Sequence, residues 1–256
     1  MASETYGLVN AAWKSTTKIL FGQPIGELEE FEDYLQRAVI GHDVKSSYSS
    51  RPLLVASENY PPTARFFDYP GELEQFSKEA SKPVDINKIK DLDSLREAVK
   101  EKIVYGANKS LGNSQHIEHS DAIIDSTALL NCSMIIRSRY LAYSYLMRDN
   151  EYTFGSTSSG ASSFIVRCFY NTLLKRCFEC SYSTVSSDCY FSYDIHGCND
   201  CIFAFNVQAK HYIVANVQLD RDSYLSLKSK LIGEIAEELK AKKRLEFSLF
   251  DLMNRA

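Results

Sequence analysis

Residues Cys177-Phe-Glu-Cys-Ser-Tyr182, Cys189-Tyr-Phe-Ser-Tyr-Asp194 and Cys201-Ile-Phe-Ala-Phe-Asn206 open three successive units of one repeat. Extended outward, the register predicts unit starts at His116, Ala128, Tyr140, Tyr152, Phe164, Cys177, Cys189, Cys201 and Tyr212, at spacings of 12, 12, 12, 12, 13, 12, 12 and 11. The second position is mostly apolar: Ile117, Leu129, Leu141, Thr153, Ile165, Phe178, Tyr190, Ile202 and Ile213. The fifth is largely small, with Ser120, Cys132, Ser144, Ser156 and Cys168. Each unit holds a short β-like run and then Ser, Asn, Asp or Gly turn residues. No unit can bury its own apolar positions, so stacking has to make the core. The reading is a parallel β-helix (solenoid) over about residues 114–219, with like residues about 4.8 Å apart. General precedent for parallel crossovers makes it right-handed. Coils of 12 or 24 residues both fit the period. The 16 Tyr and 14 Phe need volume, which favours the wider coil.

The segment from Ser187 to Leu219, ending Asn216-Val-Gln-Leu219, resembles the Cys- and aromatic-rich repeats of uncharacterised prokaryotic, notably archaeal, β-helix proteins. In those proteins the repeats likewise end in an Asn-x-Gln element followed by a helix. The resemblance covers less than half the chain and implies a fold, not an activity. A solenoid of this kind also resembles the scaffold of bactofilin filaments, although the flanking helical parts here depart from that plan.

Cysteine usage places a boundary before the repeat. All seven Cys lie between Cys132 and Cys201, and an odd count with no secretory leader favours reduced thiols. The chain divides into a mixed helical region (1–109), the β-helix (110–219) and a C-terminal helix and tail (220–256), a mixed α+β architecture. Ile25, Leu28, Phe31, Leu35, Ala38 and Val39 recur at helical spacing, predicting an amphipathic helix over 24–39 stopped by Gly41. A strand is expected at Leu53-Leu-Val-Ala56, with helices at 71–80 and 92–105. Asp91 or Asp93 caps the last of these, and its face of Leu92, Leu95, Val99 and Ile103 is expected to dock on the next region. After Leu219, Asp220 or Asp222 caps an amphipathic helix carrying Tyr224, Leu227, Leu231, Ile235 and Leu239, which covers the solenoid end.

The net charge of −4 argues against a generic charge-driven nucleic-acid binder. No run approaches the roughly 18 apolar residues of a membrane span, and the start lacks a basic, then apolar leader. A cytosolic protein with no membrane partner is expected. Cys177-x-x-Cys180 and Cys198-x-x-Cys201 have the spacing of a four-thiolate zinc site. A buried thiol ladder competes with it, since Cys177, Cys189 and Cys201 share one column, and no cofactor is required. His116-x-x-His119 has no evident third ligand, and His196 and His211 lie near turns. The acids Glu151, Asp188 and Asp200 recur at unit ends, where turn formation is the simpler account. Ser156-Thr-Ser-Ser-Gly160 lacks a phosphate-loop ending, and no hydrolase, metalloprotease or dinucleotide motif is present.

The expected function is therefore binding or assembly rather than catalysis. Candidate partner-binding residues are Trp13, the cluster Lys240, Lys242, Lys243 and Arg244, and Phe247 and Phe250 of the apolar tail. That tail either packs on its own body or pairs with a second subunit, and a homodimer is expected. Two further readings stand beside this one. One is a ribosome- or RNA-associated regulatory factor using the basic cluster, with a protein or ribonucleoprotein partner. The other is a β-helix enzyme acting on a saccharide or nucleotide through Asp188 and Asp200.

Overall fold

The computed structural model describes residues 3–253 apart from 39, 58 and 101. Its centre is a parallel β-solenoid of about nine turns. Every parallel pair from Gln115 to Val214 is offset by the same step: Ile117 lies beside Leu129, Ile165 beside Cys177, Cys189 beside Cys201, and Cys201 beside Ile213. The coil is thus 12 residues, not 24, and the spacings of 13 and 11 do not exist. The Cys177, Cys189 and Cys201 column continues from Ile165 and into Ile213, one residue after Phe164 and Tyr212. Coils run 115–126, 127–138 and so on to 199–210, with a partial ninth.

Backbone conformation explains how so short a coil closes. From His116 to Ala215 every third residue has positive φ, including Gly155 and Gly197. Each coil is therefore a four-sided tube with three residues per side, and the residue after each left-handed one points inward. Left-handed backbone costs an L-residue roughly 1–2 kcal/mol, and most for β-branched side chains. Among these positions only Val185 is β-branched, while Asp125, Asn131, Asp149, Asp188, Asp194, Asp200 and Asn206 are types that tolerate it. Ala209, exposed at φ 52, provides a test. Ala209 already bears most of that cost, so Ala209→Thr should lower stability by the added β-branched part, up to about 1 kcal/mol, and Ala209→Asn should not lower it, read by chemical denaturation.

Four inward columns fill the tube. Two lie mid-strand and are mainly apolar, such as Leu129, Leu141 and Ile165 or Ile123, Ile135 and Met147, all nearly or fully buried. The other two lie at bends and carry mainly Ser, Cys, Asn or Ala, with Leu174 buried in one of them. The bends leave an N–H unpaired, and the small side chain one coil below accepts it. Cys132 N–H donates to Ser120 Oγ (3.0 Å), Cys168 N–H to Ser156 Oγ (3.0 Å) and Cys198 N–H to Ser186 Oγ (3.1 Å). The aromatics stand outside the narrow lumen, in stacks along the axis. Tyr140–Tyr152–Phe164 stack at 5.0 and 4.6 Å, and Phe191–Phe203 at 4.9 Å.

Among the described residues six helices flank the solenoid: α1 (Glu4–Phe21), α2 (Glu32–Leu35), α3 (Tyr69–Ala80), α4 (Leu92–Lys100), α5 (Arg221–Lys242) and α6 (Leu249–Met253). Helix α1 is absent from the sequence reading. Its buried stripe carries Thr5, Thr16 and Thr17 where leucines would mark the period, and both Thr16 and Thr17 donate to the carbonyl four residues back. The helix expected over 24–39 is instead three short pieces, with 3₁₀ turns at Leu28–Phe31 and Gln36–Ala38 around α2. Its anchors Ile25, Leu28, Phe31 and Leu35 are still buried, and Val39 lies outside the described residues. Leu35 packs where a Cβ on Gly155 would sit 2.7 Å from its Cδ2, and Gly155 also holds φ +59.

Asp91 caps α4, accepting from Ser94 N–H at 2.8 Å, and Asp220 caps α5, accepting from Ser223 N–H at 2.9 Å. The helix expected over 92–105 ends at Lys100, and its face does not dock as expected, since Leu92 and Val99 are 71% and 39% exposed and Ile103, beyond the helix, is 51% exposed. Helix α1 crosses the first strands of successive coils and meets α5, and α5 reaches the last coil at His211–Val214. One core joins them, including Trp13, Phe31, Phe154, Phe178, Tyr190 and Tyr224.

Candidate functional site

The two broad sides of the solenoid differ. The first strand of each coil faces α1 and α5. The second strand, as in Thr157–Gly160 and Phe169–Thr172, lies on the other side. On that side, coils 151–162, 163–174 and 175–186 present Thr157, Ser158, Gly160, Ala161, then Phe169 (which Phe250 of the tail touches), Tyr170, Thr172, Leu173, then Ser181, Tyr182, Thr184, Val185. No ionisable acid or base interrupts them. Tyr170, Leu173, Tyr182 and Val185 are 52%, 51%, 47% and 59% exposed, and Tyr170 stacks on Tyr182 at 5.0 Å. Charge resumes on both flanks, with Arg148 and Asp149 before and Asp194 and His196 after.

A second feature lies where the segment around α2 meets the C-terminal tail. A cavity of about 740 Å³ opens between Tyr34, Arg37 and Arg167 on one side and Lys242–Ser248 on the other. At its base Arg167 pairs with Glu179, the two side chains 4% and 0% exposed. The Arg167 guanidinium lies 4.1 Å over the Tyr34 ring and donates to the Tyr34 carbonyl. Glu179 Oε2 accepts the Leu249 N–H at 3.0 Å, fastening α6 to the solenoid. Burial and the Glu179 charge push the Tyr34 phenol well above its usual range.

The sequence-derived partner residues divide between these surroundings. Trp13 is buried, 5.1 Å from the Phe31 ring and 5.2 Å from that of Phe154, so it is a core residue and not a contact for a partner. Phe247 and Phe250 pack on Phe191 (5.2 Å) and Phe169 (5.1 Å), so the tail folds onto its own body. Lys240 bonds Gln23 and Glu237, Lys242 bonds Glu238 and Glu246, and Lys243 bonds Glu30. Arg244 is exposed at the cavity mouth.

Each of the recurring acids is paired with a cation. Glu151 bonds Arg139 (2.7 Å), Asp188 bonds Arg176 (2.5 Å) and Asp200 bonds Lys228 (2.8 Å). Burial works against the Asp188 charge, and Arg176 outweighs it, holding the carboxyl below its ordinary value. Arg137–Asp149 and Arg167–Glu179 share the same step of one coil. The signal was present in the sequence as cations 12 residues ahead of acids, visible only once the coil length is known. His119 bonds Asp43 at 2.9 Å and His196 bonds Asp194 at 2.9 Å, both near the surface.

All seven Cys point into the lumen and are free thiols. Cys177 and Cys201 share a column with Cys189 between them, two coils or about 9.6 Å apart. One tetrahedral zinc with bonds of about 2.3 Å cannot span that. No cluster of three or more His, Cys, Asp or Glu suited to a metal occurs among the described residues. Burial pushes the Cys132 thiol up to about 12 and raises Cys180 as well. Burial opposes ionisation at Cys177 too, but hydrogen bonds from Cys180 and Cys189 outweigh it and lower its pKa. Closed off from solvent, these thiols should not react with Ellman's reagent in the native protein, and all should react in denaturant. Fast native titration of any thiol would contradict the lumen placement.

The fold and surfaces define a class, a β-solenoid with one helix-covered side and a second side that the N-terminal segment covers over its first coils and leaves open around Tyr170 and Tyr182. No family model matches the chain, and neither a curated protein nor a solved structure does. No described helix is long and apolar enough to cross a membrane.

Proposed function

We propose that the protein is a non-catalytic assembly module that pairs with a second copy of itself through the open part of the solenoid's second side. The observation that carries this is the uncharged, half-exposed patch of Tyr170, Leu173, Tyr182 and Val185 with charged residues on both flanks. An apolar centre with a polar rim is the anatomy of a protein interface. Because the centre has no charge, it can meet its own copy across a twofold axis without like-charge repulsion. The second strands Tyr193–His196 and Phe205–Gln208 continue this side beyond the patch, so the rim adds area to the apolar centre. The tail makes no call on a second subunit, since its aromatics are already packed. A catalytic reading draws nothing from the acid row, in which each acid holds a cation.

Sedimentation equilibrium at micromolar concentration should show a dimer, and Leu173→Lys should shift it to monomer with the fold intact by circular dichroism. A wild-type monomer under those conditions sinks the proposal. Capture from lysate with and without nuclease separates the ribonucleoprotein reading, which requires a nuclease-sensitive partner.

A further inference from the structure

We propose that the cavity between α2 and the C-terminal tail binds a phosphate dianion. Its volume of about 740 Å³ lies within the range of small-molecule sites, about 300–1,000 Å³. The chemistry follows from which polar groups in its wall are already used. Glu30 accepts from Lys243 Nζ and from the Glu27 N–H. Glu246 accepts from Lys242 Nζ. Asp251 accepts from the Ser248 N–H and hydroxyl, both at 2.8 Å. Arg167, at the base, is held by Glu179 and the Tyr34 carbonyl. Arg37 and Arg244 remain: both are exposed, both line the cavity, and neither makes a direct ion pair among the described residues, while at longer range Arg37 faces Asp251 and Arg244 faces Glu246.

Each guanidinium carries five N–H donors in a planar fork that matches phosphate oxygens. Against those donors stands one wall carboxylate without a partner among the described residues, Asp33. The unspent capacity of the wall is thus mostly donor and cationic, which calls for an acceptor-rich dianion. Leu245 and Phe247 give the same cavity apolar wall, against which the organic part of a phosphate monoester can lie. This site is separate from the open solenoid patch and does not depend on dimer formation.

The test is isothermal titration calorimetry of the full chain at constant ionic strength, with phenyl phosphate, inorganic phosphate and phenol as probes. Phenyl phosphate should give saturable binding. Tighter binding of phenyl phosphate than of inorganic phosphate identifies an organic phosphate as the occupant, and equal binding identifies free phosphate. Arg37→Gln and Arg244→Gln should each weaken binding about tenfold, the effect expected for loss of a charge-assisted hydrogen bond. Lys18→Gln, at an exposed cation on α1 away from the cavity, should leave it unchanged. The proposal is overturned if neither phosphate probe saturates, if phenol binds as well as phenyl phosphate, or if the two Arg variants, folded by circular dichroism, bind as wild type.

Discussion

Glu179→Leu should destabilise the protein by about 3–5 kcal/mol, the cost of leaving a buried charge without its partner. Arg167 cannot turn to water, because its side chain is 4% exposed beneath Tyr34 and the tail. The same change removes the acceptor of the Leu249 N–H, so the tail loses its fastening to the solenoid. Arg167→Met combined with Glu179→Leu removes both charges and should recover most of the loss, since replacing a buried pair by apolar residues is often neutral or favourable. Urea denaturation of the two single variants and the double variant gives the coupling. A Glu179→Leu loss below about 1 kcal/mol would mean that water reaches Arg167 through the cavity. Limited proteolysis adds a local readout, because the tail should be cut in Glu179→Leu before the solenoid is.

How much of this was legible depends on which feature the sequence repeats. The solenoid was, because Cys189 and Cys201 start visibly similar units, and stacked coils impose one period on side chains that share a column. The coil size was not, because aromatics were assigned to the lumen. Tyr140, Tyr152 and Phe164 are left-handed outward residues, and the lumen takes Ser, Cys, Ala, Asn and single aliphatics instead. The off-by-one frame at Cys177 arose where the apolar second position was matched from Ile165 to Phe178, whereas the true partner of Cys177 is Ile165 and that of Phe178 is Val166. The avoidance of Val, Ile and Thr at every third position was in the sequence throughout, and it is the local signature of the coil. The candidate surfaces were less legible. Basic residues 240–244 drew notice as a run, yet their partners Glu30 and Gln23 lie more than two hundred residues away in the chain. The uncharged patch spans three coils and becomes contiguous only after the coil length is set.

The lumen gives the other large effect. Ser156 is fully buried, donates to the Phe154 carbonyl at 3.1 Å and accepts the Cys168 N–H at 3.0 Å. Ser156→Ala keeps the volume but strands the Cys168 N–H, a loss of about 1–3 kcal/mol. Ser156→Leu adds overpacking to that stranded donor, and together they should cost about 2–6 kcal/mol. That is a large part of the 5–15 kcal/mol that usually separates folded from unfolded chains. Ser144 and Cys168 fill the same column one coil away on either side, so the added atoms have no neighbouring void to enter. Ser156→Cys should be the mildest of the three, because the column already holds Cys132, Cys168 and Cys180, with Cys168 Sγ turned to the Val166 carbonyl at 3.5 Å. The order Cys, then Ala, then Leu, read from denaturation midpoints, follows from a twelve-residue tube with one inward residue per side. A leucine variant as stable as the alanine one would show that this bend accepts an aliphatic side chain as the bend at Leu174 does.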